Sequence, residues 1–118
     1  MSELQTFESA NLPDPDRAPA AALPLALIAD TDSASRSRRA RQLQHRGFRV
    51  AVARTVFETI VKASCHLPDL ILVAASLGDE QVRETTELLS TCPATAHIPI
   101  VRIARGARIP TRFAAAAV

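Results

Sequence analysis

The sequence predicts an α/β domain built on an open parallel sheet of about four strands, with helices flanking both faces. Three observations predict it. Short apolar runs closed by polar or turn-forming residues recur at 23–29, 50–52, 70–75 and 98–103, the pattern of strands covered on both faces. Between successive runs lie segments of helical spacing joined by short connections, and strand alternating with helix packs as a parallel sheet with right-handed crossovers. The third observation is bulk: 118 residues, 47% of them apolar and 22% charged, make one domain with one modest core. That balance excludes a multidomain enzyme and a disordered polymer alike.

Residues 1–22 combine Pro13, Pro15 and Pro19 with four acids and small side chains, and are expected to form a flexible arm. Leu4 and Phe7 within it are spaced like one helical turn. The folded domain is expected over 23–118. Its first strand, interrupted only by the turn-like Pro24, ends on Asp30-Thr31-Asp32. Asp32 or Ser33 suits the N-cap of a helix over 34–46, and Gly47 suits its stop. Val50-Ala51-Val52 is the second strand. A helix over 55–66 places Val56, Phe57, Ile60, Val61 and Ala63 inward, and Pro68 follows its end. Leu70 to Ala75 is the most continuous apolar strand. The next helix starts at Asp79 or Glu80, runs through Leu88-Leu89 and stops before Pro93. Ile98 to Ile103 is a fourth strand, entered through Pro99 and carrying the polar Arg102. The remainder has room for one short helix over 110–118.

Composition narrows function by exclusion. With 4 Phe, no Tyr and no Trp, stacking of bases or sugars on an aromatic platform is not expected. Cys65 and Cys92 lack CxxC spacing and a nearby His pair, so no structural metal is expected, and both read as reduced thiols. His45, His66 and His97 pair with no nucleophile and read as surface or capping residues. No apolar run approaches the roughly 18 residues of a membrane span. The N-terminus is acidic, unlike a secretory signal, so a bacterial-type cytoplasm is the expected location. The net charge of +2 hides a strong pattern: residues 33–57 carry seven Arg and no acid, whereas 1–32 carry six acids and one Arg.

With these elements placed, the residues resemble the receiver domain of bacterial two-component response regulators. Leu25-Ala26-Leu27-Ile28-Ala29-Asp30-Thr31-Asp32 is similar to that family's first strand and acid cluster. Gly47-Phe48 falls where its glycine-aromatic pair closes the first helix. Pro68-Asp69-Leu70-Ile71-Leu72-Val73 is similar to its third strand, and Ser76-Leu77 to the dipeptide that often follows. Pro93-Ala94-Thr95-Ala96-His97-Ile98-Pro99-Ile100-Val101 is similar to the approach to its fourth strand. The resemblance runs nearly ungapped over 23–106 and implies the CheY/flavodoxin-like fold without the final strand–helix unit.

The same resemblance implies a degenerate phosphorylation pocket at Asp30, Thr31, Asp32, Ala74 and Ala104. The family's phosphoacceptor Asp aligns with Ala74, its second first-strand acid with Thr31, and its switch hydroxyl with Ala104; its fifth-strand Lys has no counterpart. Phosphoryl transfer rests on positioning and charge stabilisation, so no catalytic residue, cofactor or resident metal is expected, and no enzymatic activity. The family's apolar buried face on the first helix becomes Ser35, Arg38, Arg39, Gln42 and Leu43, an exchange expected if that flank faces water for want of a final helix.

The expectation is a phosphorylation-independent adaptor acting through protein–protein contact on a histidine kinase, another receiver or a downstream effector. Its candidate partner-binding residues are Arg36, Arg38, Arg39, Arg41 and Arg46 on the first helix, together with Ile100 and Arg102 on the fourth strand. That strand is internal in the family and an edge here, a template for pairing that the C-terminal Ala-rich helix, a second copy or a partner would cover, so a homodimer through it or an obligate complex is expected over a free monomer. The alternative is a small nucleic-acid-associated regulator using the Arg-rich first helix, which no helix-turn-helix, zinc-finger or RNA-binding signature accompanies.

Overall fold

The computed structural model describes residues 23–110; the arm over 1–22 and most of the short helix expected over 110–118 lie outside the described residues. The elements run β1 (Leu25–Ala29), α1 (Ser33–His45), β2 (Arg49–Ala53), α2 (Val56–His66), β3 (Leu70–Ala74), a 3-10 turn (Ala75–Leu77), α3 (Asp79–Thr91) and β4 (Ile100–Ile103). The strands form one parallel sheet in the order β2-β1-β3-β4. This is the predicted α/β architecture, with each strand start or end shifted by no more than two residues.

β1 and β3 are the central strands, and all five residues of each are buried, as their unbroken apolar sequences require. Alternate side chains feed two cores. On one face Leu27, Ala29, Ile71 and Val73 meet Ala63 of α2 and Val82 and Leu89 of α3. On the other, Ala26, Ile28, Leu70 and Leu72 meet Leu43 of α1, Phe48 and Ile109. The Pro68-Asp69 pair starts β3 by a reciprocal clasp: Leu25 N–H donates to Asp69 Oδ2 at 2.8 Å, and Asp69 N–H to the Leu25 carbonyl at 2.8 Å.

Helix ends follow the sequence signals. Asp32 caps α1 by accepting from Ser35 N–H at 3.0 Å, and Thr55 caps α2 by accepting from Glu58 N–H at 3.0 Å. Gly47, with φ of 93°, lets the chain turn back so that Phe48 N–H reaches the Leu43 carbonyl at 3.0 Å. The buried hydroxyls of Thr59, Thr85 and Thr95 each donate to a backbone carbonyl at 2.7 Å, which removes the penalty of burying them.

Two expectations are corrected. Phe57 is 78% exposed and Val61 is also exposed; the inward stripe of α2 is Thr59, Ile60 and Ala63, and both residues fall off it. The polar flank of α1 does not face water throughout. Arg39 is buried, and residues 104–110 pass beside it, placing Ile109 in the core with Leu43 and Phe48.

Candidate functional site

Parallel sheets present their chemistry at the carboxyl ends of the strands. Here that rim is formed by Asp30 after β1, Ala74 and the following 3-10 turn after β3, and Ala104 after β4. Asp30 is fully buried, and every lone pair of its carboxylate is used. Oδ1 accepts from Ser76 Oγ at 2.6 Å and from Asp32 N–H at 3.0 Å. Oδ2 accepts from Ser35 Oγ at 2.7 Å and from Arg39 Nη1 at 3.2 Å. Burial alone would raise the Asp30 pKa; the hydroxyls of Ser76 and Ser35, the Asp32 N–H and the Arg39 charge together outweigh it and hold the carboxyl below its ordinary value.

Arg39 reaches this position because the N-cap at Asp32 sets the phase of α1, stacking Ser35 and Arg39 on one face four residues apart. Its Nη2 donates to the carbonyls of Ala104 and Ala107, both at 3.2 Å, so one guanidinium joins β1 to the chain after β4. Nε of Arg39 is buried without a partner among the described residues. Thr31 clasps the opposite wall: its Oγ1 donates to the Ser76 carbonyl at 2.9 Å, and its N–H to Ser76 Oγ at 3.1 Å. Ala74, 2% exposed, contributes only a methyl group.

Above this cluster lies an open crevice of about 420 Å³, lined among others by Asp32, Ser35, Arg38, Arg39, Ser76 and Arg105. Magnesium, which the resemblance implies for a receiver pocket, does not fit this donor set. Octahedral coordination needs carboxylate oxygens free to bind. Asp30 has none to spare, the Thr31 hydroxyl is committed to Ser76, and Ala74 has no side-chain oxygen. Among the described residues, no group of three or more His, Cys, Asp or Glu side chains gathers elsewhere.

The structure divides the arginines of α1 and its C-cap, Arg46. Arg39 is interior, and Arg46 is half-buried with Nη1 donating to the Pro110 carbonyl at 2.7 Å and Nη2 to the Ile109 carbonyl at 3.0 Å. Arg36 is half-buried and donates to the Asp30 carbonyl at 2.9 Å. All three donate to acceptors within the fold. Arg38 and Arg41 are exposed. On β4, Arg102 is exposed, while Ile100 is half-buried against the core. Ser35 and Ser76, the side chains nearest Asp30, are not predicted by sequence as its partners: the sequence places Ser35 on the altered face of the first helix and Ser76 in a family dipeptide. The signal for Ser35 and Arg39 was their four-residue spacing behind a buried acid.

No family model and no curated protein matches the sequence. Solved structures do. The N-terminal domain of a response regulator receiver protein from Methanoculleus marisnigri is 25% identical, with a TM-score of 0.66 over 75% of this chain and 72% of that one. The chemotaxis response regulator CheY4 of Vibrio cholerae is 20% identical, with a TM-score of 0.64 over 69% of this chain and 68% of that one. The anti-anti-sigma factor PhyR from Bartonella quintana is 21% identical, with a TM-score of 0.58 over 69% of this chain and 33% of that one. Strand order, helix placement and these likenesses agree: the chain has the fold of response regulator receiver domains, and its described sheet stops at the fourth strand.

Proposed function

We propose that this chain is a phosphorylation-independent adaptor of a two-component-type regulatory system, not an enzyme, working in the cytoplasm through contact with a protein partner. One observation carries the reading. The rim that a receiver uses for phosphoryl chemistry holds a methyl group at Ala74 and a buried carboxylate, Asp30, already neutralised by Arg39 and saturated with hydrogen bonds, while the neighbouring Asp32 caps α1. A nucleophile must have a free lone pair, and Asp30 has none; Ala74 has no side-chain oxygen to accept a phosphoryl group.

The contact surfaces that suit a partner are the edge of β4, with Ile100 and Arg102, and the outward side of α1, with Arg38 and Arg41. A parallel edge strand offers unpaired backbone groups to an added strand, from a second copy or from another protein, and the arginines orient the encounter. Likeness to a chemotaxis regulator and to an anti-anti-sigma factor supports a role read out by partner proteins. A nucleic-acid reading gains less: tight backbone binding draws on about six or more phosphate contacts, and three arginines of the first helix are engaged within the fold.

Intact-mass measurement after incubation with acetyl phosphate or carbamoyl phosphate and magnesium tests the reading. The expected result is an unchanged mass. A stable adduct of one phosphate would reject it.

A further inference from the structure

The crevice above Asp30 carries the opposite charge from the acid cluster its position resembles. Three guanidinium groups, those of Arg38, Arg39 and Arg105, line it with one open carboxylate, Asp32. Asp32 is partly occupied, since Oδ2 caps the first turn of α1 by accepting from Ser35 N–H at 3.0 Å. Asp30 beneath is fully paired, so it adds little repulsion at the surface. Arg38 and Arg105 are both exposed, come from different segments of chain, and make no hydrogen bond or ion pair with any described residue. Two unpaired arginines lining one concave space, above an arginine held rigid by Asp30 and two carbonyls, supply donors suited to a tetrahedral oxyanion.

The geometry points to a reversible phosphate site: a phosphate dianion held between Arg38 and Arg105 above the neutral Asp30–Arg39 pair. The ligand class is a phosphate group, either free or borne as a monoester on another molecule, since the crevice is open on its outer side. No bond to the protein forms or breaks. Occupancy would also act on the fold. Arg105 belongs to the segment whose Ala104 and Ala107 carbonyls Arg39 already holds, so an anion shared by Arg38 and Arg105 adds a second clamp between α1 and residues 104–107. This inference is independent of the adaptor reading, because a covalent adduct changes the intact mass and reversible occupancy does not.

Isothermal titration calorimetry of the full chain with inorganic phosphate, at ionic strength matched with chloride, is the test. Saturable binding with a dissociation constant on the order of 1 mM is expected. Arg38→Ala and Arg105→Ala, both at exposed positions, should each weaken it about tenfold. In amide NMR spectra, Ser35, Ser76 and Gly106 should shift with the same saturation curve. A parallel titration with phenyl phosphate distinguishes the sources: equal affinity assigns the site to phosphate monoesters, and a loss assigns it to the free anion. Absence of saturable binding, an equal response to chloride, or affinity unchanged in both variants would overturn the inference.

Discussion

Nη1 of Arg39, on α1, lies 3.2 Å from Oδ2 of Asp30, at the end of β1, with the two side chains 3% and 0% exposed. A buried ion pair of this kind contributes little against an apolar replacement of both partners, but losing one partner strands a charge. In this protein the stranded charge would be Asp30, and the same loss would free the Ala104 and Ala107 carbonyls from α1.

Arg39→Met should therefore lower unfolding free energy by about 3 kcal/mol, toward the low end for a broken buried pair because Ser35, Ser76 and the Asp32 N–H still satisfy Asp30. Asp30→Asn combined with Arg39→Met should recover part of that loss. Arg39→Lys should not recover it, since an ammonium cannot span a carboxylate and two carbonyls in one plane. Urea denaturation of the three variants checks this; equal stability of Arg39→Met and wild type would show that the pair holds nothing together.

Acid stability follows from the same carboxylate. Its pKa is lowered in the fold, so its contribution is complete above the ordinary carboxylate range and is lost as pH falls through the lowered folded value. Unfolding free energy should be nearly flat across neutral pH in this respect and decline only in strong acid. Asp30→Asn should be less stable at neutral pH, where Arg39 lacks its counter-charge, and should show a shallower acid limb. Denaturation midpoints measured across a pH series give both quantities, and an unchanged acid limb would contradict the assignment.

The fold was legible because its signals are local and redundant. β1 and β3 are unbroken apolar runs, and Asp32, Thr55 and Gly47 mark helix ends with the residues physics prefers there. The position of Ala74 was legible as well, since it is one residue at one strand end. What could not be read was the use of charge in the interior. An Arg on a buried helix face looks like a surface residue until the chain after β4 is known to offer carbonyls to it. Phe57 illustrates the other failure. Its size argued for the core, but the α2 stripe is set by Thr59 and Ala63, which carry no strong apolar signal. Phe57→Ala should accordingly change stability by no more than about 0.5 kcal/mol, whereas Leu89→Ala in the adjacent core should cost about 2–5 kcal/mol. Similar losses from both would place Phe57 inside after all.

Ile109 anchors the segment after β4. It is 1% exposed in the same core as Leu43 and Phe48, and Arg46 holds its carbonyl at 3.0 Å. Ile109→Ala should cost about 2–4 kcal/mol and raise amide exchange at 104–110 more than in β1 or β3. Hydrogen exchange by mass spectrometry resolves the two regions. A uniform increase across the sheet would show that this segment opens only with the whole domain.

Leu67 offers a test in the stabilising direction. It closes α2 in the left-handed region, with φ of 47° and ψ of 64°, just before Pro68, and its side chain is 52% exposed. A branched side chain in that conformation costs roughly 1–2 kcal/mol through the clash of Cβ with the following carbonyl. Leu67 cannot relax to the helical region easily, because the residue before a proline is disfavoured there. Asn tolerates the left-handed region by hydrogen bonding to its own backbone, and little buried area is lost on replacing an exposed leucine. Leu67→Asn should raise unfolding free energy by about 0.5–1 kcal/mol, with Leu67→Gly gaining less because glycine also loosens the unfolded chain. A fall in the melting temperature of Leu67→Asn would mean that the leucine side chain contributes packing that outweighs its backbone strain.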